Sequence, residues 1–99
     1  MNIEKKGKTA DIQIVGDIVE SRSRQFVKNI NELVAEDIKR FNFDFSAVSL
    51  IDSNALSSLI VICDKADLEF TFKNVNKAVA NVFDMIKLNK QVLIEKKED

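Results

Sequence analysis

Asp52-Ser53-Asn54 is the stretch of this chain whose residue types and spacing could do chemistry. It lies where the apolar period changes. Phe41, Phe43 and Phe45 alternate with Asn42, Asp44 and Ser46, the pattern of a strand with one buried face. Leu56, Leu59, Ile60 and Cys63 then recur at helical spacing. Asp, Ser and Asn are preferred helix N-caps. The pattern therefore places a hydroxyl at the mouth of a helix that follows a strand. Unpaired N–H groups and the positive end of the helix dipole favour a negative charge there. Such a hydroxyl can sit beside a bound anion or become anionic by phosphorylation. On spacing alone, Ser53 reads as a helix-cap residue. Asp52 is either that cap or the group that orients the serine. Asn54 and Ser57 either touch a partner or face water in the first turn. Asp44 reads as a carboxylate that holds the loop by hydrogen bonds. Asp17, after Gly16, is either a solvated turn carboxylate or part of the same surface.

The remaining catalytic inventory is short. There is no histidine, so the commonest general base is missing and no serine–histidine or cysteine–histidine pair can exist. Cys63 is the single cysteine. It can form neither an internal disulfide nor a thiolate metal cage, and its apolar run reads as core. Gly7 and Gly16 belong to no glycine-rich phosphate loop. An approach of Asp44 to Asp52 is the one route to an aspartate-based enzyme. The reading is therefore a non-enzyme without cofactor or metal. The net charge is −1, lysines are dispersed among acids, and Trp and Tyr are absent, which argues against nucleic-acid binding. The longest apolar run, 59–63, is far too short to cross a bilayer, and the N-terminus does not resemble a signal peptide. The expectation is a cytoplasmic protein with no membrane insertion.

The elements that must position the motif follow from the same periods. The 99 residues suffice for one domain over 1–99 with a core of its own, and 95–99 reads as a solvated tail. Residues 1–6 and 9–15 form a hairpin around Gly7-Lys8, with Ala10, Ile12 and Ile14 on one face. A long amphipathic helix is expected over 21–40, with Phe26, Ile30, Leu33, Val34, Ile38 and Phe41 on one stripe. In that helix Glu36 and Arg40 form a favourable pair four apart, and Arg22 and Arg24 are surface charges. A strand at 41–45 leads through the motif to a helix over 53–66. That helix is apolar on almost every side, which implies deep burial or a covering partner. A strand around Leu68, Phe70 and Phe72 follows. A helix capped by Asn76, with Val79, Val82, Phe83 and Ile86 inward, precedes a short last strand at 91–95. Alternating strands and helices imply parallel pairing. The fold class is α/β: a small mixed sheet, an N-terminal hairpin plus parallel strands, with helices largely on one face.

The stretch 44–56 also resembles the signature of STAS domains, the fold of bacterial anti-sigma factor antagonists. Those chains typically read Asp-Leu-Ser, a short link, an apolar pair, then Asp-Ser-Ser-Gly-Leu. Gly16-Asp17-Ile18 is similar to the family's Gly-x-Leu, and 75–90 to its closing helix. Ala55 stands where the family usually has glycine, Asn54 where it has serine, and Val19 where an acid is frequent. The resemblance implies phosphorylation of Ser53 by a partner anti-sigma factor with serine-kinase activity, reversed by a phosphatase. It implies docking through Asp17, Asp52, Ser53, Asn54 and Ser57. An unphosphorylated interaction module is the alternative: an MlaB-like subunit of a lipid-transport ABC complex, or a scaffold in a signalling complex.

Overall fold

A computed structural model describes residues 1–65, 67–90 and 92–97. Strands β1 (Asn2–Lys6) and β2 (Thr9–Gln13) pair antiparallel around the turn at Gly7, whose φ of 60° suits a residue without Cβ. The chain then alternates: α1 (Ser21–Ala35), β3 (Arg40–Asp44), α2 (Ser53–Cys63), β4 (Glu69–Val75), α3 (Lys77–Met85) and β5 (Leu93–Lys96), with a 3-10 turn at Leu88–Lys90 before the last strand. The sheet order is β1-β2-β3-β4-β5, and every pair after the hairpin is parallel. This is the mixed sheet expected from the periods.

One face of the sheet is apolar because register stacks the alternating residues in rows. Ala10 lies beside Phe41 and Phe41 beside Phe70; Ile12 lies beside Phe43 and Phe43 beside Phe72. All six are buried, as are all seven phenylalanines of the chain. Phe26 of α1 sits 5.6 Å from the Phe43 ring and Phe83 of α3 sits 5.3 Å from Phe72, so these helices cover that same face. Ring pairs at such distances add about 0.5–1.5 kcal/mol each beyond their burial. The opposite face is polar: Asn42 donates from Nδ2 to Asp11 at 2.8 Å, and Arg40 pairs with Glu69 at 3.1 Å. One face is thus core and the other is open, as the period-2 pattern requires.

Several boundaries differ from the periodic reading; β2 ends at Gln13 rather than residue 15, and β3 spans Arg40–Asp44 rather than 41–45. The first helix ends at Ala35 rather than Arg40. Asp37 takes φ 66°, and the N–H groups of Asp37 and Ile38 donate to the carbonyls of Val34 and Leu33. This is a Schellman closure with Asp in the left-handed position usually filled by glycine, and buried Ile38 supplies its apolar contact. Consequently Glu36 pairs with Lys5 at 2.8 Å rather than with Arg40. The second helix ends at Cys63. β5 runs through Glu95, where the last strand was expected to end, to Lys96 of the expected tail, and the Lys97 N–H donates to the Val75 carbonyl at 2.8 Å. Ala66, Gln91, Glu98 and Asp99, which figured in the expected second helix, last strand and tail, lie outside the described residues.

The run 59–63 is helical although its composition suits a strand. Leu59, Ile62 and Cys63 are buried, but Ile60 and Val61 remain 40% and 68% exposed. The helix is therefore not buried on every side.

Candidate functional site

The motif occupies the link between β3 and α2, residues 45–52, at the carboxyl end of the parallel strands. Four side chains hold this link. Asp44 Oδ1 accepts from the Ser46 N–H at 2.9 Å and from Asn74 Nδ2 at 3.1 Å. Asn76 caps α3 by accepting from the Val79 N–H at 2.8 Å, while its Nδ2 donates to the Val48 carbonyl at 2.9 Å. Asp17 Oδ1 accepts from the N–H groups of Ser49 and Leu50 at 2.7 and 3.0 Å. Asp52 ends the link as the N-cap of α2. The neighbouring backbone adds a parallel bridge between Ile18 and Ile51.

Asp52 joins two helix starts. Its Oδ1 accepts from the Ala55 N–H at 2.9 Å, and its Oδ2 accepts from the Glu20 N–H at 2.7 Å. Glu20 is the N-cap residue of α1, its side chain makes no cap bond, and its φ is 55°. That backbone region is costly for a residue with a Cβ, and it persists because neighbouring bonds fix it. The Ala55 and Glu20 N–H groups hold the Asp52 carboxyl below its ordinary range, with the Ser23 hydroxyl adding to them. For Asp44, partial burial works to raise the value, but the Ser46 backbone, the Asn74 amide and Lys73 outweigh it and the result is lowered. Both groups are accepting hydrogen bonds in their ionised form.

Ser53 is not the cap. Asp52 does that work, and Ser53 occupies the first helical position, exposed, with its hydroxyl in no hydrogen bond among the described residues. Asn54 and Ser57 are also exposed on the first turn and a half. Ala55 is fully buried, so its methyl group is accommodated where a glycine was expected from the resemblance. Asp17, Asp52, Ser53, Asn54 and Ser57 thus gather at one end of the molecule, but in different roles. Asp17 and Asp52 brace backbone; Ser53, Asn54 and Ser57 face solvent. Gly16 turns with φ 84° before Asp17, and a Cβ there would lie 3.2 Å from the Arg22 guanidinium. The link to Val48 made by Asn76, and the part played by Glu20, were not visible in the sequence, because each joins segments about thirty residues apart.

Among the described residues no group of three His, Cys, Asp or Glu side chains could hold a metal ion. No helix among them is long and apolar enough to cross a membrane. Burial pushes the Cys63 thiol up to about 12, so it is protonated and inert at neutral pH.

The fold is that of a small mixed-sheet α/β domain with its motif at the carboxyl end of the parallel strands; the STAS domain model matches residues 1–99, and the chain belongs to the STAS family. Solved structures with the same fold include the anti-sigma factor antagonist SpoIIAA in its unphosphorylated form. It is 13% identical, with a TM-score of 0.76, and the match covers 98% of this chain and 88% of that one. A Thermotoga maritima protein provisionally assigned as an anti-sigma factor antagonist is 16% identical with a TM-score of 0.78, covering 97% and 86% of the two chains. At such identities the likeness speaks for the fold. No curated protein sequence matches this chain.

Proposed function

We propose that this chain is a non-enzymatic, cytoplasmic protein-binding domain of the anti-sigma factor antagonist type. It docks on an anti-sigma factor with serine-kinase activity and is switched by phosphorylation of Ser53. One observation carries the reading. The Ser53 hydroxyl is exposed and unengaged at the first position of α2, because Asp52 does the capping. A hydroxyl with no structural duty, directly after a link held by four side chains, can be presented to a partner at little ordering cost.

In the proposed cycle the unmodified form binds through the Ser53 turn. Asp52, Asn54 and Ser57 lie beside it, and Asp17 holds the adjoining Ser49–Leu50 backbone. The partner's ATP supplies the phosphoryl group. A bond forms between Ser53 Oγ and the γ-phosphorus, and the bond from that phosphorus to the β-bridging oxygen breaks. ADP leaves with the electron pair, and the serine proton passes to a base on the partner. Phosphate adds about −1.5 to −2 charge. A surface fitted to a neutral hydroxyl beside Asp52 then loses its fit. A phosphatase restores serine by hydrolysis and releases inorganic phosphate.

The test is incubation with anti-sigma serine kinases of the source genome and Mg-ATP, followed by intact mass and fragment mapping. The expected result is one added phosphate, at Ser53, absent from Ser53→Ala. An unmodified mass with every such kinase, together with co-purification of a permease and an ATPase, would favour the MlaB-like module instead.

A further inference from the structure

α1 and α2 meet along an open groove that begins beside Asn54 and runs toward Lys65. Its two stretches have volumes of about 540 and 340 Å³. Val27 of α1 and Val61 and Ile62 of α2 give it an apolar lining, and Val61 is 68% exposed. α2 carries no charged residue from Ser53 to Cys63. The charges stand on the rim: Arg24, Lys28 and Glu32 on α1 and Lys65 past the end of α2, so that cations outnumber the single acid. Arg24 and Lys28 lie one turn apart on α1 and line the groove, and neither enters an ion pair among the described residues. An apolar trough with two unpaired cations spaced four residues apart is complementary to an amphipathic helix with acids at the same spacing. The 11 residues of α2 give a wall of about 16 Å, or three helical turns.

We infer that this groove docks an amphipathic helix of a partner protein, its apolar face on Val27 and Val61 and its acidic flank on Arg24 and Lys28. A second copy of this chain does not supply that helix. α1 ends with Glu32 and its C-cap Glu36 one turn apart, but Glu36 pairs with Lys5 and the apolar stripe of Phe26, Ile30 and Leu33 is buried in the chain's own core; α3 contains Asp84 alone, and α2 has no acid. The inference uses the reading of the chain as a protein-binding domain but not the phosphorylation of Ser53.

The test uses two 15-residue helical peptides with the same leucine face, one flanked by glutamates and one by lysines, titrated into the labelled full chain by NMR. The glutamate peptide should shift the amides of Val27, Asn31, Val61 and Lys65. Two exposed charge pairs set its preference over the lysine peptide at roughly 2- to 30-fold. The double variant Arg24→Glu, Lys28→Glu should stay folded, with melting lowered only slightly by the new like charges at four-residue spacing with Glu32, and reverse the preference. Equal affinity for the two peptides, shifts confined to other faces, no shift at about 1 mM peptide, or dimerisation through Val61 would each overturn the proposal. Neither peptide reports on phosphate transfer, so this failure is separate from a failed kinase assay at Ser53.

Discussion

Asn76 is placed to test whether the link before Ser53 is held as described. Its Oδ1 caps α3 through the Val79 N–H, and its Nδ2 reaches back to the Val48 carbonyl, both partly buried. Asn76→Ala removes both. Loss of a cap costs about 0.5–2 kcal/mol, and a partly buried carbonyl left without its donor costs about 1–3 kcal/mol. The expected total is about 1.5–5 kcal/mol, or a fall in melting temperature of about 6–40 °C for a domain of this size. Asn76→Asp separates the two jobs. Asp caps as well as Asn, but it puts a carboxylate oxygen where the amide nitrogen stood, against the Val48 carbonyl at 2.9 Å. That variant should lose about 1–3 kcal/mol at pH 7 despite its intact cap. Thermal and urea unfolding followed by circular dichroism give the numbers, and hydrogen exchange of residues 46–52 reports on the link itself. An Asn76→Asp protein that melts with the wild type, with unchanged exchange in that segment, would refute the reasoning.

Three further outcomes are expected. Ser53→Ala should unfold within about 0.5 kcal/mol of the wild type in urea, because an exposed first-turn hydroxyl without a hydrogen bond contributes little; a loss above about 1.5 kcal/mol would return Ser53 to the role of cap. The folded-state values of Asp44 and Asp52 are lowered, so the stability they give is present above the ordinary aspartate value of about 4 and is lost as pH falls through their folded values. Melting temperature should therefore drop on acidification below about pH 4, and Asp52→Asn, which still caps, should flatten that drop; an identical pH profile would contradict the assignment. Cys63, buried and raised to about 12, should resist a thiol reagent at neutral pH in the native protein and react on unfolding; rapid native labelling would show that α2 opens.

The sheet was legible because its cue is local. Phe41, Phe43, Phe45, Phe70 and Phe72 alternate with polar residues, and that alternation fixes which face is core whatever the neighbours do. The start of α2 was legible for the same reason, since Asp52 is a cap in sequence and in space. The end of α1 was not. Asp37 in a left-handed position looks in sequence like one more polar residue of a helix, and only the buried Ile38 behind it reveals the closure. The roles within the site were half legible. Spacing placed a hydroxyl at a helix mouth but could not say whether Asp52 or Ser53 did the capping. The partners of Asp17, and the second partners of Asp52 and Asn76 beyond their caps, lie about thirty residues away in sequence, and no local pattern marks such bonds.

That division of labour between Asp52 and Ser53 bears on how a phosphate would act. Asp52 already places a carboxylate between the starts of α1 and α2, satisfying an N–H from each side. A phosphate on Ser53 would be a second anion there. The α2 N-terminus favours it by about 0.3–1 kcal/mol at an exposed site, while repulsion from Asp52 opposes it and water screens both. The two effects are of similar size in the free protein, so the phosphorylated chain should stay folded. Under a docked partner the balance differs. Water is excluded, the helix end is already occupied by Asp52, and a partner shaped for a hydroxyl offers no counter-ion. An unpaired interfacial charge of that kind costs about 2–5 kcal/mol, or roughly 30- to several-thousand-fold in affinity. The proposed switch would therefore act on association and leave the fold alone, and it could do so because Ser53, the residue proposed to carry the phosphate, is not Asp52, the residue that caps the helix.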